Sequence, residues 1–402
     1  MMIDRGNRRS KQVTGKNAAD FVDWKFKKDY YLNEMVINAM IVSHCDEDHY
    51  GGLWDLIKEN EQEDLYILWK NIKIESFYHA GLGRWETSGR KKTLGKTVKD
   101  QARSYLVQLL DDKESIKKAL DGDQGSKLYG PWAKFMKAVL KKLNNNQIKR
   151  LTNKDEYIPG FSPSDGPASL RVLGSIETKI DGKNAYFSWG SKSQDSNGNS
   201  ILLRLDYGSV RILLTGDLNK KSQKRYLKHY KDQLQEFACD VAKSCHHGSE
   251  DYSFEFLSRV NAGMTVISSG DNESYGHPRP SVISASGLSG YKILKSDKIV
   301  TPLIYSTEIS RSINLRVLDK IVKKNYKING DHVDITLTSK DNPEIYFKVK
   351  RKLKKKNFNS TQIAGGIIYG FVNVRTDSKK ILCATRDEKN KSWEIETFQS
   401  RF

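Results

Sequence analysis

Ser43-His44-Cys45-Asp46-Glu47-Asp48-His49-Tyr50-Gly51-Gly52 follows directly on Val36-Ile37-Asn38-Ala39-Met40-Ile41-Val42, so two histidines and two aspartates stand within six positions behind an apolar, β-branched run. A run of that kind reads as a strand that delivers a polar loop. Side chains two apart on an extended loop can face one cation. The adjacent pair Asp48-His49 can face a second cation if the chain turns tightly into a helix, which is the geometry of a two-metal hydrolase.

Three later segments supply the remaining ligands. Ile212-Leu213-Leu214-Thr215-Gly216-Asp217 is a buried-strand pattern ending in a carboxylate whose two oxygens can bridge two cations. Cys245-His246-His247-Gly248-Ser249 follows the short strand pattern Cys239 to Lys243, and Tyr275-Gly276-His277-Pro278-Arg279-Pro280 reads as a turn whose prolines stiffen the backbone beside a histidine and an arginine.

In this order the four motifs resemble the metallo-β-lactamase superfamily, and within it the hydrolase domain of ComEC-type bacterial DNA-uptake channel proteins and their stand-alone relatives. The resemblance spans residues 1 to about 310. It implies an α/β fold, an αββα sandwich of two face-to-face sheets with helices outside and a binuclear site at one edge. It also assigns ligands. His44 and Asp46 would bind one cation, Asp48 and His49 the second, and Asp217 both. His246 would complete the second site, with His247 as the adjacent alternative for that ligand or for a substrate contact. Asp48 is placed to orient the attacking water, and His277 or His247 to donate to the substrate or leaving oxygen.

Some positions depart from the family pattern. Asp46 stands where a second histidine is usual, which makes the first site richer in oxygen and raises Mn²⁺ against Zn²⁺. The expected cofactors are therefore two divalent ions, Mn²⁺ or Zn²⁺. The usual histidine before the bridging aspartate is replaced at best by His79. It lies in Tyr78-His79-Ala80-Gly81-Leu82-Gly83-Arg84, which resembles an H-x-G-x-x-R element and makes His79 a candidate ligand and Arg84 a candidate phosphate clamp; a loop histidine with a local partner is the competing reading. Asn197 and Asn199 resemble an N-x-x-S element, for turn formation or hydrogen bonding near the site. Arg279 reads as a phosphate contact or a structural ion pair. Met1 to Asn7 begins in what resembles the family's I-D-x-G segment, without the hairpin that normally precedes it.

Length and charge bound the rest. A chain of 402 residues can bury a large core, and its mean hydropathy of −0.64 with no long apolar stretch excludes a spanning helix. Cys45, Cys239, Cys245 and Cys383 show no framework spacing, so reduced thiols and a cytoplasmic location are expected. Cys45 and Cys245 adjoin the ligands and either point away from the metals or serve as thiolates. The net charge of +19 is uneven: 16 Lys/Arg face 6 Asp/Glu between Arg90 and Arg150, and seven cations lie between Lys348 and Lys356. Clustering of this kind suits a polyphosphate partner, because each neutralised phosphate releases counterions.

The interval 53 to 168 reads as a helical basic insertion. Trp132, Phe135, Met136, Val139, Leu140 and Leu143 recur at helical spacing behind Pro131, with Lys134, Lys137 and Lys141 turned elsewhere as candidate substrate contacts. A second helix is expected over Val98 to Leu120, a polar turn at Gln194 to Asn199, an exposed helix at Asn219 to Phe237, and a strand pair joining Ser200–Leu205 to Val210–Leu214. Strands are also expected at Val333 to Thr338, Ile345 to Val349, Gly366 to Val374 and Ile381 to Thr385. The domains are then a hydrolase domain over 1–310 and a β-rich C-terminal extension over 311–402.

The reading these features favour is a metal-dependent phosphodiester hydrolase, a nuclease with DNA as its preferred partner and no membrane contact. Its rivals are a hydrolase of small phosphodiesters and a nucleic-acid-binding subunit with a structural metal.

Overall fold

The apolar run 36–42 is divided in the structure, a computed structural model. It describes residues 1–4, 6–12, 15–58, 72–122, 125–143, 147–269, 277–307, 323–329, 332–338, 345–350, 372–387 and 392–402. Met35–Ile37 pairs in parallel with Ile72–Ile74, whereas Met40–Val42 joins a different sheet. The break falls at Asn38, whose side-chain amide donates to Glu75 Oε2 at 2.8 Å on the surface. Met40, Ile41 and Val42 are all buried, as a strand covered on both faces requires.

The architecture is mixed α/β, with eight α-helices among the described residues. A four-stranded parallel sheet runs Met2–Ile3, Met40–Val42, Phe77–His79, Ile148–Arg150. A six-stranded sheet runs Ala168–Gly174, Leu202–Tyr207, Val210–Leu214, Val241–Lys243, Met264–Ile267, Leu303–Ser306. Its first three strands are antiparallel and the rest parallel. The helices are α1 Ala18–Trp24, α2 Glu47–Ile57, α3 Lys113–Asp121, α4 Gly130–Lys142, α5 Lys192–Gly198, α6 Lys220–His229, α7 Phe254–Val260 and α8 Pro280–Ser289.

Strand alternation divides the core. Met40, Val42 and Phe77 cluster with Leu53 of α2 and with Trp132, Phe135, Met136 and Val139 of α4. The intervening residues Ile41 and Tyr78 cluster instead with Leu170, Val172 and Leu203 of the six-stranded sheet. On that sheet's other face, Leu202, Leu213 and Ala242 meet Tyr226 and Leu227 of α6 and Phe256 and Val260 of α7. A period of two sends successive side chains to opposite faces, so each sheet contributes to two cores.

α4 forms where its pattern predicts. Pro131 occupies the first turn, the apolar residues at i, i+3, i+4 and i+7 are buried, and Lys134, Lys137 and Lys141 are exposed. Other expectations are corrected. Only α3 is helical within 98–120; Thr97–Asp100 and Arg103–Leu106 pair as an antiparallel hairpin, and the β-branched and aromatic residues Thr97, Val98 and Tyr105 suit a pleated surface better than a helix. Gln194 to Gly198 lies in α5 with Asn199 as its C-cap, rather than all in a turn, and Ser191 caps the helix by accepting from Gln194 N at 3.3 Å. The helix expected over Asn219 to Phe237 ends at His229, and its Ser222, Gln223, Tyr226 and Leu227 are buried, so it is not an exposed helix.

The chain divides into two units, Met1–Glu308 with Gly370–Phe402, and Ile309–Tyr369. The stretch expected as one C-terminal extension over 311–402 is therefore shared between them. In the second unit Lys323–Asn329, His332–Thr338 and Ile345–Lys350 form an antiparallel sheet. In the first, Val372–Thr376, Lys380–Asp387 and Ser392–Gln399 form another, and its Ile381, Cys383 and Phe398 cluster with Val210, Val241 and Met264. Residues 351–356 of the basic run and 366–371 of an expected strand lie outside the described residues.

Phe398 is 6% exposed at the centre of this contact. Phe398→Ala should lower the unfolding free energy by about 3–5 kcal/mol, read from urea denaturation. A wild-type midpoint would show that the C-terminal strands do not share that core.

Candidate metal centre

Strand ends and one tight turn build the site. Ser43 to Asp46 leave the edge of Met40–Val42, and α2 starts at once, so Asp48 and His49 stand on its first turn. Asp46 occupies the N-cap without capping through its side chain. Its carboxylate instead accepts from Ser196 Oγ at 2.8 Å and pairs with the Arg84 guanidinium. The Gly51-Gly52 pair has a steric cause: a Cβ on Gly51 would stand 2.5 Å from Arg8 N, and Gly52 N donates to Gly6 O at 2.9 Å. The N-terminal segment thereby crosses α2 closely enough to bring Asp4 to the site.

Asp217 follows Val210–Leu214 through Gly216. Gly216 has φ +52°, and a Cβ there would lie 2.7 Å from Ser200 Cβ. Only glycine fits, which accounts for T-G-D. His246 and His247 adopt φ of 45° and 52°, consecutive left-handed conformations that cost about 1–3 kcal/mol each and mark a constrained site.

Asp48, His49, Asp217 and His247 each offer a ligand atom, all lying within 4.8 Å of one another. His49 Nε2 is 3.2 Å from Asp217 Oδ2 and 3.2 Å from His247 Nε2. His247 Nε2 is 3.1 Å from Asp217 Oδ2 and 3.2 Å from Asp48 Oδ2. Two carboxylates and two imidazoles converging on one point form a donor set that could hold a divalent metal ion.

The electrostatics agree. Burial alone would push the two imidazoles towards neutrality, but the Asp217 carboxylate, with Asp4 and Asp48 at His49 and with Asp48 at His247, outweighs it: His49 is raised well above its ordinary pKa and His247 to about 10. His49 Nε2 and His247 Nε2 face each other at 3.2 Å, each also beside the Asp217 carboxylate. Burial would raise Asp217 and Asp48, yet the histidines hold both below the carboxylate range.

His44 and Asp46 stand beside this group. His44 Nδ1 lies 3.0 Å from Ser43 Oγ and 3.3 Å from Ser200 Oγ, which leaves Nε2 buried without a hydrogen bond and 3.8 Å from Asp46 Oδ2. Burial, then the like charge of His49, keeps His44 below its ordinary pKa. A neutral nitrogen and a carboxylate oxygen at that spacing can flank one cation with bonds of about 2.1 Å.

The remaining predicted residues divide. His247, not His246, joins the cluster; His246 Nε2 pairs with Asn197 Nδ2 at 3.2 Å, and its Nδ1 is buried without a hydrogen bond. His277 has its ring 5.7 Å from that of His246, and burial, followed by its cationic neighbours, lowers its pKa to about 4. Arg279 precedes α8 and donates its backbone N–H to Gly248 O at 2.8 Å. The structure does not bring His79 into the cluster: its Nδ1 accepts from Gly81 N at 3.0 Å, and the charged groups acting on it are Arg150 and Asp112. Asn199 caps locally, donating to Phe187 O and Asp195 O. Lys134, Lys137 and Lys141 lie on the exposed face of α4. Cys45 and Cys245 are buried, and burial raises both thiols, Cys245 to about 11, which keeps them protonated.

Residue-by-residue reading of the sequence missed Asp4 and Lys243. Asp4 Oδ2 lies 2.8 Å from His49 Nδ1, and its Oδ1 accepts from Ser43 N at 2.8 Å. That is a carboxylate orienting a ligand histidine through its second nitrogen. Lys243 Nζ lies 3.6 Å from Asp217 Oδ1 and donates to Gly216 O at 2.9 Å. The I-D-R-G segment was the available signal for Asp4; Lys243 left none.

No protein-family model matches the chain. It is 35% identical over 107 residues to competence protein ComA of Neisseria gonorrhoeae, covering 26% of this chain and 15% of that protein. It is 28% identical over 103 residues to ComE operon protein 3 of Bacillus subtilis, covering 25% and 13%. The uncharacterized protein YcaI of Escherichia coli is 28% identical over 109 residues, covering 27% and 14%. The chain thus spans only a small part of the relatives it matches, and the relationship to ComEC-like competence proteins is distant. No helix among the described residues is long and apolar enough to cross a membrane.

Cation binding must displace the protons held at His49 and His247, so apparent metal affinity should rise by at least about tenfold per pH unit from near neutrality and flatten only towards pH 10, the His247 value. Calorimetry in buffers of different ionisation enthalpy should show the proton released; an affinity independent of pH would contradict the arrangement. Asp4→Asn should weaken the metal by about 10- to 100-fold in the same titration. Wild-type affinity would leave Asp4 with a purely structural part.

Proposed function

We propose that the chain is a metal-dependent phosphodiester hydrolase acting on nucleic acid, DNA foremost, on an αββα scaffold of the metallo-β-lactamase type. The observation that carries this reading is the convergence of Asp48, His49, Asp217 and His247 within 4.8 Å. Uneven positive charge and the competence-protein relatives support a nucleic-acid substrate.

In this reading Asp48, His49, Asp217 and His247 would hold one cation and His44 with Asp46 would hold a second, Mn²⁺ or Zn²⁺, Asp217 being the candidate shared ligand. When bound, such ions supply Lewis-acid chemistry, withdrawing charge from a phosphoryl group and acidifying water. The chain does the rest. Asp4 fixes the His49 ring, so that its Nε2 keeps one direction. Lys243 offsets part of the carboxylate charge at Asp217. Asp48, half-exposed at the mouth, accepts a hydrogen bond from the attacking water and sets its direction. His277 stays neutral at physiological pH because burial and its cationic neighbours oppose a further charge, and its N–H donates to a substrate oxygen. Arg84 and Arg279 offer guanidinium donors to non-bridging phosphate oxygens, and Lys134, Lys137 and Lys141 extend the positive surface along α4.

Metal-stripped protein should regain cleavage when Mn²⁺ or Zn²⁺ is restored, tested with Mg²⁺ beside them on linear and circular, single- and double-stranded DNA and RNA. Asp48→Ala and Asp217→Ala should each lose on the order of a thousandfold or more in turnover, as several kcal/mol of charge stabilisation implies. Wild-type turnover in either purified variant would sink the assignment.

A further inference from the structure

A second charged feature lies along the helix that leaves the metal centre. Asn219 caps α6 immediately after Asp217-Leu218, and Arg225 stands roughly 10–12 Å down its axis from Asp217. The Arg225 guanidinium lies 5.1 Å over the Phe187 ring. Among the described residues it makes no hydrogen bond or ion pair, and its Nη1 is buried without an acceptor. Arg103 is its charged neighbour, exposed on the strand beside Phe187, opposite Asp100 in the hairpin but in no ion pair among the described residues. Burial, with Arg103 adding a smaller push, holds Arg225 below the ordinary arginine value. A shielded guanidinium beside a like charge is unfavourable unless an anion completes it.

Aromatic side chains share that face. Phe187 pairs across the sheet with Tyr105, ring centroids 5.7 Å apart, and Trp189, two residues along the same strand direction, lies 5.2 Å from Phe187. Trp189 is half-buried and firmly placed: its backbone N–H donates to Asp195 Oδ1 at 2.5 Å, and its ring packs so closely on Gly198 that a Cβ there would lie 2.3 Å from it. α5 then carries Ser196 and Asn197 from this platform into contact with Asp46 and His246. The platform and the metal centre are thus joined by two short helices, α5 and α6. Each is tied to the other through Asn219 Nδ2, which donates to Gln194 O at 2.9 Å.

We propose that Arg225 and Arg103 hold a backbone phosphate of a single-stranded nucleic acid and that Trp189 stacks an adjacent unpaired base, forming a strand-positioning subsite a few nucleotides from the metal centre. Unfilled cationic donors beside a fixed aromatic ring are the recurring means of binding single strands. The proposal rests on the reading of the substrate as nucleic acid. Its test uses binding by metal-stripped protein, so it stands or fails independently of whether hydrolysis is found.

Fluorescence anisotropy of a labelled single-stranded oligonucleotide, titrated in EDTA across a range of salt, provides the readout. Arg225→Gln and Arg103→Gln should each weaken binding by about tenfold and flatten the log-log salt slope, together by about 0.7, the value for one phosphate contact on a single strand. Arg225→Lys should keep the wild-type slope. Trp189→Leu should weaken binding with the slope unchanged, because a ring releases no counterions; wild-type affinity there overturns the stacking part. Wild-type affinity and slope in Arg225→Gln, or an equal loss in Arg225→Lys and Arg225→Gln, overturns the phosphate part. Should Arg225→Gln fail to fold, the exposed Arg103→Gln decides, and an unchanged slope there overturns the subsite.

Discussion

The contact between His49 and its carboxylates organises the centre of this protein. One imidazole is gripped from behind by Asp4 at 2.8 Å and presents its other nitrogen to Asp217 and His247 at 3.2 Å. Gathering these groups in a buried place is costly unless protons or cations balance them. The carboxylates raise the two histidines and the histidines lower Asp217, so protons can balance the group as a cation can. Affinity for a metal and affinity for protons are therefore two outcomes of one arrangement.

That arrangement depends on backbone held rigidly by sheets. Asp4, His44 and Asp46 leave neighbouring parallel strands, and Asp217 and His247 leave neighbouring strands of the six-stranded sheet. Close crossings are needed where they meet. Gly51 admits the N-terminal segment over α2, and Gly216 turns the chain between Ser200 and Ser43. A side chain at either position would push a ligand or its supporting residue away, so the glycines act on the chemistry through geometry alone.

The positive charge is not spread evenly around the centre. Arg84 is paired with Asp46, whereas the buried Nη1 of Arg225 has no acceptor among the described residues. A guanidinium carries more donors than one carboxylate oxygen fills, and one packed only on an aromatic ring keeps all of them for something from outside. α5 and α6 run from the neighbourhood of Asp46 and Asp217 to that of Trp189 and Arg225.

The sequence by itself determined the ligand types and their loops. Asp46, Asp48 and His49 are adjacent in the chain, and the helix turn that displays them is local. The core stripe of α4 was legible for the same reason, since a 3.6-residue period needs no knowledge of distant partners. Tertiary structure decided what local pattern could not. Whether His246 or His247 faces Asp217 depends on two left-handed residues set by the surrounding packing. Asp4 joins His49 from 45 positions away, and His79, on the strand next to Met40–Val42, accepts from Gly81 instead of entering the cluster. Likewise Thr97 to Leu106 became a hairpin because Tyr186 and Phe187 supplied a strand to pair with. Each of these rests on a contact between segments distant in the chain, which residue types alone do not encode.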